Sequence, residues 1–398
     1  MPGALQDLRV LDMTSIGMGP MATQLLADMG ADVIKIESAG GDVFRHVTPQ
    51  RHPGMSHAYL NLNRNKRSVV IDAKSAAGRQ DLQALLETAD VFVSSMRAPA
   101  MRKLGLDYAS LEPQFPKLIY CACYGYSEDG PYAGRPAIDD TIQAASGLAW
   151  LQGGAGASPP RYVNSVVADK VVALYVANAI ACALYARERT GLGQAIEVPM
   201  FECMVAFLAP ENLSGLTFVP PEGPAGYARL LNEYRRPFRT KDSYMSVVPY
   251  TDAQWRNFFS LANRPDMADD LRYRTLTARS GHFPELYRFV EEVLAERTTQ
   301  QWSQALAEAD IPFACVNSMA DLLEDPHLVA TGFWKEFDHP TEGRLMQAGI
   351  PVRFSRTPAE VRRHAPALGE HTAEVLGGLR TAENPSLPPQ PATDRSES

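Results

Sequence analysis

The sequence predicts an α/β protein: a doubly wound, mainly parallel sheet domain joined to a smaller α+β domain. Three observations predict it. Short apolar runs alternate with helical ones over roughly the first 150 residues, the pattern of repeated strand–helix crossovers. The run Leu118–Tyr124 (LIYCACY) is apolar without alternation, as in a parallel strand covered on both faces. The stretch from Pro220 changes character, opening on PPEGPAGY and continuing into helical periodicity with little strand.

Each element has its own signal. Leu8–Met13 (LRVLDM) reads as the first strand, Met21–Met29 as a helix and Asp32–Glu37 (DVIKIE) as the second strand. Ser68–Ala73 (SVVIDA) reads as a third strand, Gln80–Thr88 as a helix and Val91–Met96 as a fourth strand. Within Val163–Gln194 the centre, Val171–Ala186, is almost uncharged and apolar on every side of a helical wheel. Such a helix belongs inside a large core. It is marginal as a membrane span, and Arg187, Glu188, Arg189 and then Gly191 end it. A short strand follows at Tyr244–Val248, then helices near Asp252–Leu261, Pro284–Ala295 and Gln300–Glu308. Two further strand-like runs lie between Phe333 and Phe354. The expected organisation is a large domain over 1–219, a small domain over 220–330, a return to the large domain over 331–383 and a disordered Pro-rich tail over 384–398.

Composition narrows the function. With 398 residues, 45% of them hydrophobic, the chain can build the cores of two domains. A net charge of −8 argues against a nucleic-acid partner. Five cysteines without a CxxC pair suggest a reducing cytoplasm and no zinc site, and the eight histidines lack the spacing of metal ligands. No signal peptide is visible and no membrane association is expected.

Three stretches could carry chemistry. Asp169 stands alone just before the apolar run, where a helix N-terminus stabilises an anion. Two readings stay open there: a helix N-cap, or a poised carboxylate nucleophile. The segment Gly17-Met18-Gly19-Pro20-Met21-Ala22, with Glu37 twenty residues on, mimics a dinucleotide fingerprint. Thr14, Ser15 and Ile16 intervene after the strand, so a turn approaching some other ligand fits better. Between positions 45 and 67 lie Arg45, Arg51, Arg64, Lys66, Arg67, His46, His52 and His57 with no acidic residue, which reads as a solvated loop or as an anion site. Asp139 and Asp140, after a Gly/Pro loop, open an ordinary helix.

Taken together, several runs in order resemble the class III coenzyme A transferases. That family includes formyl-CoA transferase, the carnitine CoA-transferases and α-methylacyl-CoA racemase. The runs are LRVLDMTSIGMGPMATQLLADMGADVIKIE, Gly41-Asp42 with Arg45, NRNKRSVVIDAKS, RKLGLDY, GPYAGRPAIDDTIQAASG, the Asp169 helix, TGLGQAIEVPMFE and RRPFRTKDSYMSV, spanning roughly residues 5 to 380. The resemblance implies a large domain built from both chain ends and a homodimer of two interlocked ring-like chains. It implies that Ser15, Ile16 and Gly17 meet coenzyme A, and that Ile71, Lys74, Ser95, Met96 and Arg97 hold its adenine and phosphates. Lys103 matches a basic phosphate contact, Asp139 falls in the CoA-binding set, and Asp169 falls on the catalytic carboxylate. The substrates would be a CoA thioester and a free carboxylic acid, with no tightly bound cofactor.

The departures sharpen the expectation. Ser94–Pro99 reads SSMRAP where relatives read ENFRPG. Ile138 stands where transferases carry Tyr and racemases His; it cannot move a proton, which disfavours the alternative of a 2-methylacyl-CoA racemase or epimerase. Gly17 replaces the Gln of formyl-CoA transferase, which disfavours oxalate and formate. The surplus of cations at 45–67 suggests that Arg45 pairs with a second substrate carboxylate. The expected reaction moves CoA from succinyl-CoA to a C4–C5 dicarboxylate such as itaconate, mesaconate or malate. A long or aromatic monocarboxylate, held by Phe207, Leu208 or Tyr227, is the alternative acceptor. The loop Gly223-Pro224-Ala225-Gly226 and a helix N-terminus are the candidate oxyanion donors.

Overall fold

The computed structural model describes residues 2–383, so the expectation of disorder over 384–398 lies outside the described residues. The chain divides into two compact units. One comprises the residues up to Gly147, Tyr162–Phe207 and the chain from Thr331; the other comprises Leu148–Arg161 and Leu208–Ala330.

The first unit is built on six parallel strands: β1 (Arg9–Met13), β2 (Asp32–Glu37), β3 (Lys66–Val70), β4 (Val91–Ser94), β5 (Ile119–Tyr124) and β6 (Gln194–Pro199). Their order is β3-β2-β1-β4-β5-β6. This is the doubly wound order, in which the chain reverses direction between β1 and β4 and leaves a crevice at the strands' carboxyl ends. Leu11, Ile34, Ile36, Val69 and Phe92 cover one face together with Leu82 and Leu85 of the helix α2 (Ala76–Leu86). Side chains alternate along each strand, so Asp12, Lys35 and Ser68 point to the other face. They lie in register across β1, β2 and β3 and are fully buried. The helix α1 (Met18–Asp28) closes over them, and its Thr23 hydroxyl donates to Asp12 at 2.7 Å.

The boundaries shift for physical reasons. Helix α1 starts at Met18, three residues before the expected Met21, with Pro20 inside its first turn, where a missing N–H costs nothing. Strand β3 begins two residues early, because Lys66 and Arg67 enter it in ion pairs with Asp12 and Asp32. Strand β6 carries no alternation strong enough to mark it: Gln194 and Glu197 are exposed on this edge strand.

The helix α3 (Asp139–Ala145) precedes α4 (Val167–Thr190). By length and composition α4 could cross a membrane. In the fold it packs on α1, β5 and β6 through Val172, Val176, Ile180 and Leu184. Burial all round is not what the single chain delivers. Leu174, Tyr175, Cys182 and Tyr185 form an exposed stripe at helical spacing on the side away from α1 and the sheet. An antiparallel hairpin of β10 (Trp334–His339) and β11 (Gly343–Ala348) also belongs to this unit, and Gln347 donates to the Leu60 carbonyl at 2.6 Å.

The second unit has a three-stranded antiparallel sheet: β7 (Phe238–Arg239), β8 (Tyr244–Val247) and β9 (Phe313–Cys315). Helices Asp252–Leu261, Phe283–Leu294 and Thr299–Glu308 surround an aromatic core of Trp255, Phe258, Phe259, Tyr287 and Trp302. Thr251 with Gln254, and Thr298 with Gln301, form capping boxes that start two of these helices.

Candidate active site

The carboxyl ends of β1 and β4 open onto a cleft of about 370 Å³. Ser15, Ile71, Lys74, Ser95 and Met96 line it together with Gly41, Asp42 and Leu104. Five residues scattered over eighty positions therefore meet at the reversal point of the sheet, where such folds take ligands. A second cleft, about 250 Å³, shares Ser95 and is lined by Arg97, Tyr124, Arg135 and Pro136. Among the described residues neither Arg97 nor Arg135 makes an ion pair; Arg135 lies 4.1 Å over the Tyr132 ring. Lys103 sits in the exposed last turn of the helix Ala98–Leu104 and lines neither cleft.

Asp169 lies in the first turn of α4 and is 7% exposed. It does not cap its own helix: Val166 holds the N-cap position without a side-chain bond. The Asp169 carboxylate instead accepts the Met18 N–H at the start of α1. A Cβ on Gly17 would sit 2.2 Å from its Oδ2, so only glycine permits this approach. Gly19 is glycine for a similar reason, since a Cβ there would meet the Thr14 side chain at 2.3 Å. The dinucleotide-like pattern thus has a contact reason within the chain.

Asp139 brings a second carboxylate. Its Oδ2 accepts the Asp169 N–H at 2.9 Å, and its Oδ1 accepts Gln143 Nε2 at 2.5 Å. Gln143 also donates to the Ser165 carbonyl and accepts the Val163 N–H, stitching α3 to the segment that leads into α4. Burial, and then the Asp139 charge, push the Asp169 carboxyl from 3.8 up to about 7, against the Met18 N–H that favours the anion. The result is a carboxylate half ionised near neutrality, with its anionic form poorly solvated. Ile138 is 57% exposed and carries no titratable group near this pair.

The Ser15–Gly17 turn links the cleft to Asp169. Ser15 lines the cleft, while Gly17 touches the carboxylate. Ile16 between them has φ of +73°, the left-handed region that a β-branched residue rarely enters.

Arg45, the expected substrate cation, is turned inward by the fold. It is 1% exposed, and its Nε and Nη2 pair with Glu37 at 2.7 and 2.6 Å. Tyr59 Oη and the carbonyls of Gly54 and Pro366 take its remaining N–H groups. All five donors are spent inside the protein. The other cations of the run follow suit: Arg64 pairs with Asp28, Lys66 with Asp12 and Arg67 with Asp32. Arg51 donates to the Glu342 carbonyl. Apart from Glu37, eight positions from Arg45, these partners are distant in the chain, so the sequence alone does not show the pairing. In the second unit, the Gly226 N–H donates to the Asn212 carbonyl at 2.7 Å, so it is not a free oxyanion donor.

Residues to which the sequence assigns no role of their own, although Met18 and Asp42 lie within the motifs it shows, complete the geometry around Asp169. Met18 acts through its backbone, Gln143 through its amide, and Lys35 with Asp42 through a buried ion pair of 2.8 Å. Lys35 carried one legible sign: a charge in the apolar run DVIKIE.

The comparisons agree with this geometry. The model of CoA-transferase family III matches residues 5–372. A succinate–glutarate CoA-transferase of Agrobacterium fabrum is 32% identical over 96% of this chain and 98% of its own length. A succinyl-CoA:mesaconate CoA-transferase of Haloarcula hispanica is also 32% identical, over 96% and 98%. A crystal structure of a CAIB/BAIF family protein from Brucella suis superposes with a TM-score of 0.81 at 31% identity, covering 95% of this chain and all of that one. The parallel sheet with its switch-point cleft, the buried carboxylate beside it and these matches have one reading: the chain is a class III CoA-transferase, an enzyme of CoA-transferase family III.

Proposed function

We propose that the enzyme moves CoA from succinyl-CoA to a C4–C5 dicarboxylic acid, with Asp169 as the nucleophile. The observation that carries the proposal is the Asp169 carboxylate itself: buried, raised to about 7, and held between Gly17 and the Met18 N–H. An Asp169 oxygen attacks the thioester carbonyl carbon, the C–S bond breaks, and the CoA thiolate leaves a mixed anhydride. The thiolate attacks the aspartyl carbonyl and releases the donor acid, giving an aspartyl-CoA thioester. The acceptor carboxylate displaces the thiolate again, and the thiolate takes the acceptor's acyl group from the second anhydride. Asp169 returns as a carboxylate. Burial keeps water from the anhydrides, which hydrolyse readily. The Met18 N–H supports charge on the aspartyl oxygen.

CoA is proposed to occupy the cleft of Ser15, Ile71, Lys74, Ser95 and Met96, with Arg97 at its edge. The dicarboxylate reading rests on the relatives' named substrates, glutarate and mesaconate. With Arg45 spent on Glu37, Arg135 is the cation we assign to the second carboxylate. Hydroxylamine after succinyl-CoA tests the nucleophile: Asp169 should become a hydroxamate, read by peptide mass. An active enzyme with Asp169 unmodified refutes this step. For the acceptor, Arg135→Ala should raise KM for glutarate or mesaconate far more than for a matched monocarboxylate. Equal wild-type use of both acids would refute the second-carboxylate assignment.

A further inference from the structure

We propose that Asp42, anchored by Lys35, is the positioning residue that holds the Ser15–Gly17 turn against Asp169; the proposal rests on Asp169 being the nucleophile. The left-handed Ile16, at φ +73°, needs something to hold it, since a β-branched residue gains nothing from that conformation. Asp42 supplies it. Its Oδ1 accepts the Ile16 N–H at 3.0 Å, the Ser15 hydroxyl at 3.0 Å and the Phe44 N–H at 2.9 Å. Its Oδ2 pairs with Lys35 Nζ at 2.8 Å, and the same ammonium donates to the Thr14 carbonyl at 2.9 Å. The pair therefore grips the turn from both ends, with both side chains out of solvent. Removing either partner takes a buried counter-charge from the other, so the geometry is strongly specified. Two residues beyond Ser15, Gly17 lies against the carboxylate and Met18 donates to it. A relaxed Ile16 would rotate both away. Asp42 also lines the cleft, so a ligand there rests on the clamp that sets the nucleophile.

The test is a double-mutant cycle read as the single-turnover rate of Asp169 acylation at saturating succinyl-CoA, trapped as hydroxamate. Saturation removes any change in cleft affinity from the readout. Asp42→Ala should slow acylation by roughly 10- to 100-fold, the effect of displacing a reacting group by about an ångström. In an Ile16→Gly background the left-handed turn carries no penalty, and Asp42→Ala should then cost less than about 3-fold. A normal rate in Asp42→Ala, or the same loss in both backgrounds, would overturn the proposal. If circular dichroism shows Asp42→Ala unfolded, Asp42→Leu enters the same cycle and is judged by the same two outcomes. It fills the space of Asp42 but offers Ile16 no acceptor. No hydroxamate in the wild type overturns the nucleophile reading and this one with it. A normal wild-type hydroxamate with an uncoupled Asp42 overturns this one alone.

Discussion

Asp169 is stored in an unfavourable state. Its carboxyl titrates at about 7 in the fold against 3.8 for a free side chain, so the folded protein holds a proton that the unfolded chain releases. The sign follows from linkage: stability is unaffected below about pH 4, declines as pH rises through the interval, and is lowest above about 7. Asp169→Asn keeps the shape and an acceptor for Met18 but cannot ionise. It should raise the unfolding midpoint most at pH 8, less at pH 5 and little below about pH 4, while abolishing turnover. A variant no more stable than wild type at pH 8 would contradict the buried-anion account. Catalysis needs the ionised form, so kcat/KM for acyl-CoA should rise with pH to a plateau above about 7. Asp139→Asn removes the nearby like charge and should move that limb to lower pH. Gly17→Ala should cut turnover by roughly 100-fold in a folded protein, because the new Cβ displaces Asp169 from its seat.

Elements, unlike residues, were mostly legible, and the exceptions share a cause. The strand Asp32–Glu37 and the helix Asp252–Leu261 stand where the sequence pattern puts them. Both patterns are local, so a window of sequence contains them. The charges at 45–67 failed as a guide because their meaning is not local. Arg45 finds Glu37 on β2, Lys66 finds Asp12 on β1, and both end as buried ion pairs beneath the loops rather than a surface for anions. The pairing of Asp139 with the Asp169 N–H was equally hidden, being thirty residues apart. Arg45→Ala tests the structural role. It strands Glu37 in a buried site and should destabilise the protein by roughly 3–5 kcal/mol in denaturant titration. Under folding conditions the KM ratio between dicarboxylate and monocarboxylate should stay as in wild type. A selective rise for the dicarboxylate would restore Arg45 to the substrate.

Assembly is the question that the whole molecule poses. A helix apolar on every side fits one chain badly. One face of α4 is buried against α1 and the sheet, yet Leu174, Tyr175, Cys182 and Tyr185 remain exposed along the other. The helix that follows, Met200–Asn212, leaves Val205 and Phe207 exposed as well. Exposed apolar residues at this density on successive helices form the kind of patch that suits a protein partner. We propose that a second copy of the chain covers it, in the interlocked arrangement that the resemblance implies. Interlocking makes the folded monomer unstable, so association and stability cannot be separated by dilution. Sedimentation at nanomolar concentration should therefore still show a dimer. Tyr185→Glu, which sets a charge at the end of the exposed stripe, should yield an aggregated or unfolded chain rather than an active monomer. A folded monomer with wild-type turnover, from either experiment, would show that the stripe has another occupant and that one chain suffices for catalysis.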